Sequence, residues 1–149
     1  EIKVKWPNDV LANGRKLSGI LLESASGGDG ALTFLAIGIG MNLAHFPPDT
    51  EFPATSLAAL GVSVPSASAA LTQLAAHFAK WYEVWMMNGF SPIQDAWLAR
   101  AAGLGSRIRA RLTHEETTGV FEGIDATGAL ILREAQGRTR TIAAGEVFF

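Results

Sequence analysis

A nearly continuous apolar run in the first third of the sequence constrains the fold more than any other feature. Residues 31–43 read ALTFLAIGIGMNL and contain no charged side chain. A run of this kind is typical of a strand whose sheet is covered on both faces. Gly38 and Gly40 interrupt it, and glycine inside a strand weakens it and marks a close approach of a ligand or another backbone. The run therefore predicts a layered sheet with two glycines at a candidate site.

The segment before this run predicts further strands. Residues 2–6 alternate between apolar and charged side chains, which indicates a half-buried strand that ends at Pro7. Residues 10–12 and 17–23 flank the turn Asn13-Gly14, and this pattern predicts a β-hairpin. If strands that belong beside these are absent, the sheet exposes an unpaired edge, which is an aggregation hazard.

Two helices are predicted after a proline-rich loop. Ser66 is a suitable N-cap and Gly89 a suitable end for the first, and Ser91-Pro92 begins a second that continues through Ala102. Apolar side chains recur at helical spacing on the first helix: Leu71, Leu74, Ala75, Phe78, Trp81, Tyr82 and Trp85. The aromatic members resemble a cofactor-binding cluster, but the unbroken period favours packing against the sheet.

The last third of the chain has a different pattern. After Gly103-Leu104-Gly105 the segments are short, alternating and punctuated by glycine, as in RIRARL, TGVFEGID and GALILRE. Four or five short strands of this kind predict a small β-barrel. Ile108 and Ala110 alternate with arginines, so the arginines are expected on the solvent face rather than in a basic binding patch.

Composition excludes several classes of function. The net charge of −2 argues against a broad nucleic-acid-binding face, and no apolar run approaches the roughly 20 residues that cross a bilayer. With no cysteine, disulfides and thiolate metal sites are excluded, and a cytoplasmic location is expected. The three histidines lack metal-ligand spacing, so no bound metal site is predicted.

One cluster of polar residues stands out at the start of the chain. Three of the four lysines lie in the first sixteen residues. Lys5 begins the string KWPND, and Lys16 follows the Asn13-Gly14 turn. A solvated strand end explains this string on spacing alone. However, Gly19, Gly38 and Gly40 occur in neighbouring candidate strands, and a floor of glycines beside lysines favours a flat, anionic ligand.

These residues resemble a known family. KWPNDVLANGRKLSGILLE, followed by IGIGMNL and ATSL, is similar to the catalytic core of biotin protein ligases, and GVFEGIDATGALILR with AAGEV is similar to the small barrel that follows that core. The resemblance implies an α+β fold, with part of a class II synthetase-like mixed sheet and flanking helices in residues 1–102. A small Src-homology-type β-barrel in residues 103–149 would follow.

The resemblance also implies a two-step reaction and its residues. ATP with Mg²⁺ and biotin give biotinoyl-5'-AMP, and a lysine of a biotin carboxyl-carrier domain then attacks this mixed anhydride. Lys16 corresponds to the lysine that reaches the biotin carboxylate and the α-phosphate, and Lys5 to a second cation near the phosphates. Asp9 corresponds to the aspartate that serves the acceptor amine.

Binding residues are implied in the same way. Asn42 corresponds to the residue that reads the adenine edge, and Asn8 holds the turn or touches phosphate. The biotin ring system would lie against the backbone of a further set: Gly19, Ile20, Gly38 and Gly40.

Other parts of the family pattern are not found in this sequence. The glycine- and arginine-rich loop that closes over biotin and the nucleotide, and the residues that recognise the ureido ring, precede KWPND in the family. The DNA-binding winged helix of some members is also missing. We therefore expect a carboxy-terminal part of a ligase that is inactive alone, with no DNA or membrane partner and a possible homodimer. A lipoate or octanoate ligase and a non-catalytic binding module remain the alternatives.

Overall fold

The computed structural model describes residues 1–28 and 31–149, and within them the chain is a mixed α+β protein. In these described residues there are two sheets, two α-helices and one short 3-10 turn. The elements are, in chain order, β1 Ile2–Lys5, β2 Asp9–Ala12, β3 Arg15–Ser26, β4 Leu32–Met41, α1 Ala67–Asn88, α2 Ser91–Leu98, β5 Arg107–Arg111, β6 Glu116–Ile124, β7 Leu130–Arg133, the 3-10 turn Ala135–Gly137, β8 Thr139–Ile142 and β9 Glu146–Phe148.

The first sheet has the strand order β1-β2-β3-β4. The predicted hairpin is confirmed: β2 and β3 pair antiparallel around a turn in which Asn13 has φ 49° and Gly14 φ 74°. Positive φ at both central residues matches the right-handed twist of the strands, and asparagine and glycine tolerate it best. β3 and β4 also pair antiparallel, with Gly19 opposite Gly40.

Contacts divide the chain into two compact units. The first comprises residues 1–2 and 8–64, and the second comprises residues 3–7 and 65–149. The boundary predicted at residues 102 and 103 stays a prediction.

The apolar run in β4 is not covered on both faces. Leu32, Phe34 and Leu35 are exposed, with Phe34 at 54%. The expected double burial is therefore wrong for this chain, because the described part of the first unit contains no helix that packs over β4. β4 lies at one edge of this four-stranded sheet.

The predicted limits of α1 are confirmed. Ser66 accepts a hydrogen bond from the Ala69 amide, and Gly89 ends the helix with φ 72°. The predicted packing of its apolar face against a sheet is wrong: Phe78, Trp81 and Trp85 are each about half exposed, since α1 packs mainly along α2. α2 ends at Leu98, four residues before the predicted end, and the chain then turns back.

The second sheet confirms the predicted small barrel of Src-homology type. Its five strands have the order β8-β7-β6-β5-β9. Ile108 and Ala110 point inward, while Arg107 and Arg109 are exposed, as the alternation predicted. The barrel core includes Phe121, Leu130, Leu132, Ile142 and Val147, and Trp6 and Ala101 pack into the same cluster.

Candidate functional site

An ion pair joins two of the predicted catalytic residues. Lys16 Nζ lies 2.5 Å from Asp9 Oδ1. The Asp9 side chain is 6% exposed at the start of β2, whereas the Lys16 side chain is 40% exposed on β3. A partly exposed lysine on a flexible stem beside a nearly buried carboxylate can exchange that partner for an incoming anion.

The hairpin register brings the pair together next to a glycine. Asp9 lies opposite Gly19, which is three residues after Lys16 on β3. A Cβ at Gly19 would lie 3.2 Å from Lys16 Cε and 3.3 Å from Lys16 Nζ, so a larger residue would displace the ammonium. Gly19 therefore provides the space in which the ion pair forms.

The glycine row continues onto β4. Gly40 pairs with Gly19, and Gly38 pairs with Leu21. A Cβ at Gly38 or Gly40 would make only ordinary contacts, at 3.6 Å or more. Gly38 and Gly40 thus leave backbone without side chains on β4 beside Gly19, and the predicted contact with a flat ligand stays a prediction.

Asn8 and Ile20 are joined by two hydrogen bonds beside the site. Asn8 Nδ2 donates to the Ile20 carbonyl at 2.5 Å, and the Ile20 amide donates to the Asn8 carbonyl at 2.9 Å. This reciprocal pair of hydrogen bonds joins the loop before Asp9 to β3. The turn-holding half of the Asn8 prediction agrees with this geometry, and the phosphate contact stays a prediction.

The Asn42 side chain contacts the Lys16 main chain. Its side-chain Nδ2 donates to the Thr55 carbonyl at 2.9 Å and to the Lys16 carbonyl at 3.4 Å. Two carbonyl acceptors determine the orientation of the amide, so the nitrogen faces them and Oδ1 faces away. The predicted adenine contact stays a prediction.

Lys5 contacts strand β9 of the barrel. It is 1% exposed, donates to the Val147 carbonyl at 3.4 Å, and lies 4.0 Å from a Glu146 carboxylate oxygen. The neighbouring Trp6 donates its indole N–H to the Gly128 carbonyl at 3.0 Å. These contacts seat the first half of the KWPND string on the barrel; the phosphate role of Lys5 stays a prediction.

Sequence reasoning missed several buried polar residues around the site. Ser18 donates from Oγ to the Gly40 carbonyl at 2.7 Å, and Thr55 and Ser56 are 3% and 1% exposed. Small hydroxyl residues in a proline-rich loop are usually solvated. Only the position of Thr55 and Ser56 inside the string ATSL could have indicated that they are buried.

The described residues offer no acidic or histidine cluster for a metal ion. No group of three or more His, Cys, Asp or Glu side chains with suitable proximity occurs in residues 1–28 and 31–149. Among the same residues, no helix has the length and apolarity needed to span a membrane.

Comparisons with known protein families match both ends of the chain. Residues 1–42 match the Biotin/lipoate A/B protein ligase family, and residues 103–149 match the Biotin protein ligase C terminal domain. The first match contains the ion pair and the glycine row, and the second coincides with the barrel.

Individual proteins agree with these matches. The chain is 47% identical to the biotin–[acetyl-CoA-carboxylase] ligase of Paracoccus denitrificans, over 99% of this chain and 63% of that protein. It is 37% identical to the ligase of the same name from Mycobacterium tuberculosis, over 99% of this chain and 53% of that protein. The structure of the Aquifex aeolicus biotin protein ligase in complex with biotin and ATP has a TM-score of 0.79 at 22% identity, over 99% of this chain and 61% of that one, which shows a shared fold. The chain thus spans between about half and two thirds of these relatives.

Proposed function

Because the chain belongs to the biotin protein ligase family, we propose that it serves the ATP-dependent ligation of biotin to a lysine of a biotin-carrier protein through biotinoyl-5'-AMP. The observation that supports this most is the Lys16–Asp9 ion pair beside the Gly19 backbone. It brings a cation and a proton acceptor together at one surface. The first half-reaction needs the cation, and the second needs the proton acceptor.

The first half-reaction joins two anions. The biotin carboxylate attacks the α-phosphorus of Mg²⁺-bound ATP, the bond to the β-phosphate oxygen breaks, and pyrophosphate leaves. Lys16 would move from Asp9 to the carboxylate and the α-phosphate, where its charge offsets their repulsion and stabilises the charge that develops at phosphorus. Its flexible stem allows this movement because the side chain is partly exposed.

The second half-reaction transfers the biotinoyl group. The carrier lysine attacks the carbonyl carbon of the anhydride, AMP leaves, and the attacking nitrogen loses a proton. A free lysine is mostly protonated near neutral pH, so a carboxylate that orients the ammonium and accepts its proton accelerates the step. Asp9 would take this role once Lys16 has moved to the anions.

Partners and location follow the family. We propose a biotin carboxyl-carrier domain as the acceptor, a homodimer, and a cytoplasmic location. The chain by itself is expected to form little or no biotinoyl-AMP, since the relatives that it matches are much longer. Biotin-dependent pyrophosphate release from the chain alone, at the rate of the Paracoccus ligase, would contradict this expectation.

The central test uses the chain joined to the part of the Paracoccus denitrificans ligase that lies outside the match, here called the chimera. The chimera should form biotinoyl-AMP from biotin and Mg²⁺-ATP. In it, Lys16→Ala should lower the rate of adenylate formation by about 10² to 10³, the usual cost of losing one such electrostatic contact. Lys80→Ala, on the exposed face of α1, is the matched control and should react normally.

The outcomes separate the proposal from its alternatives. Near-normal adenylate formation by Lys16→Ala would return Lys16 to the role of a solvated strand-end charge. A chimera that binds biotin but forms no adenylate would favour a non-catalytic binding module. The family that matches residues 1–42 includes lipoate enzymes, so a larger thermal stabilisation by lipoate than by biotin, each with ATP and Mg²⁺, would favour lipoate ligation.

A further inference from the structure

The main chain of Lys16 is held from both sides by a segment that is distant in sequence. The Lys16 amide donates to the Pro53 carbonyl at 2.8 Å, and the Lys16 carbonyl accepts from the Thr55 amide at 2.9 Å. Lys16 and Ala54 therefore form a parallel bridge. Residues 53–56, here called the clamp segment, act as a short extra strand at the residue that carries the candidate catalytic cation.

Asn42 joins the clamp segment to Lys16. Its side-chain nitrogen donates to the Thr55 and Lys16 carbonyls, while its main-chain amide donates to the Leu17 carbonyl at 2.9 Å. The Asn42 carbonyl accepts from the Leu57 amide at 3.1 Å. One residue directly after β4 thus bonds to the strand of Lys16, to Thr55 of the clamp segment and to Leu57, which follows that segment.

Burial makes these hydrogen bonds consequential. Ala54, Thr55 and Ser56 are all buried, although much of the surrounding first unit is exposed. A buried carbonyl that loses its donor retains the cost of its desolvation. Arg15 adds a further contact from the opposite side, since its Nε donates to the Ala54 carbonyl at 3.1 Å.

We propose that Asn42 is a positioning residue for Lys16, which it orients by fastening the clamp segment to the Lys16 main chain. The catalytic consequence rests on the proposed function, whereas the geometric part concerns this chain alone. The side chain of Lys16 leaves the backbone at the point that is held, so the direction of its ammonium towards Asp9 depends on the clamp segment. A role of Asn42 in contacting adenine only would leave Lys16 unaffected.

The geometric part is tested on the chain itself with Asn42→Asp, which keeps the size of the side chain and removes both N–H donors. Amide hydrogen exchange at Lys16 and Thr55 should accelerate by about tenfold, which corresponds to the loss of one buried hydrogen bond. Reductive methylation of the Lys16 side chain should also accelerate, because its contact with Asp9 loosens. Lys80 is the internal standard for methylation, and Asn88→Asp, at the exposed end of α1, is the matched variant.

A second variant, Arg15→Met, tests the same clamp segment through a different contact, in case Asn42→Asp impairs folding. Arg15→Met removes the Arg15 contact with the Ala54 carbonyl from an exposed side chain, and it should produce the same changes at Lys16 and Thr55 to a smaller extent. Unchanged exchange and unchanged Lys16 methylation in both variants would overturn the proposal.

The catalytic part is tested in the chimera. If Asn42 positions Lys16, Asn42→Asp should lower kcat for biotinoyl-AMP formation by about tenfold, in addition to any rise in the KM for ATP that the loss of an adenine contact would cause. A raised KM for ATP with unchanged kcat would instead assign Asn42 to nucleotide contact alone and would overturn the positioning role. If the unsubstituted chimera forms no adenylate, the proposed function fails, and hydrogen exchange and methylation still decide the geometric part.

Discussion

Asp9 and Lys16 show how two residues with separate roles can share one resting arrangement. The carboxylate is nearly buried and the ammonium is not, so the pair opens most readily by movement of Lys16. Gly19 leaves the space that the resting ion pair occupies. An anionic substrate that draws Lys16 away would at the same time expose the Asp9 carboxylate to an incoming amine.

The role of Asp9 can be separated from that of Lys16 by substitution. Asp9→Asn in the chimera should leave adenylate formation largely intact, because Lys16 remains, but transfer to the carrier lysine should slow sharply. Raising the pH should partly rescue transfer, since the neutral fraction of the acceptor lysine increases about tenfold per pH unit below its pKa. Single-turnover assays of each step between pH 7 and pH 9 measure both effects.

Two other results would point to different roles for Asp9. Failure of adenylate formation first, with rescue by extra Mg²⁺ rather than by base, would indicate that Asp9 holds the metal of the nucleotide complex. Equal damage to both steps, together with lower stability, would indicate a role in the turn alone.

At the scale of elements, three strands of the first sheet carry the candidate site. β2, β3 and β4 align Asp9, Gly19 and Gly40 in one row across the sheet.

Barrel strand β6 contains a glycine at a position with no room for a side chain. A Cβ at Gly119 would lie 2.6 Å from the Arg133 carbonyl oxygen and 2.8 Å from Leu132 Cγ. Backbone cannot move aside as easily as a flexible side chain.

Gly119→Ala is therefore expected to destabilise the barrel by about 1–3 kcal/mol, the range for overpacking a well-packed site. Urea unfolding followed by circular dichroism should show a lower midpoint with an unchanged slope. Gly28→Ala is the matched control, because a Cβ at Gly28 meets no atom within 4 Å. A midpoint equal to that of the unsubstituted chain would mean that β6 and β7 separate at little cost.

At the scale of the whole molecule, the two units differ in how they are stabilised. The second contains the main buried apolar cluster. It also contains a surface network in which Arg140 bonds to Glu115, and Thr117 donates to Glu134 at 2.7 Å. The hydrogen bond and charge of Arg140 lower the pKa of Glu115, and the Thr117 hydroxyl, followed by Arg138 and Arg140, lowers the pKa of Glu134.

These pKa shifts predict a loss of stability in acid. Both carboxyls have folded pKa values below their ordinary value of 4.5, so their stabilisation is present above pH 4.5 and is lost as the pH falls through the lower folded values. Arg140→Gln should lower the urea midpoint at pH 7 and reduce its further decrease between pH 5 and pH 3. Glu83→Gln, on exposed α1, is the control; an Arg140→Gln profile parallel to that of the unsubstituted chain would contradict the prediction.

Features that depend on a few neighbouring residues were determined by the sequence alone. The Asn13-Gly14 turn, the Ser66 and Gly89 ends of α1, and the alternation of β5 follow from backbone preferences and local hydrogen bonds. The residue string from KWPND to IGIGMNL likewise identified the family before any contact was known.

Contacts between distant residues were decided only by the tertiary structure. The placement of Lys5 depends on Val147, which is 142 positions away, and the orientation of the Asn42 amide depends on the carbonyls of Lys16 and Thr55. The same holds for apolar faces: helical and strand periods mark which side chains favour burial, but the exposed faces of β4 and α1 show that burial itself requires a second surface. A sequence pattern records a preference of each residue, whereas the free energy of burial and pairing arises only when the partner is in place.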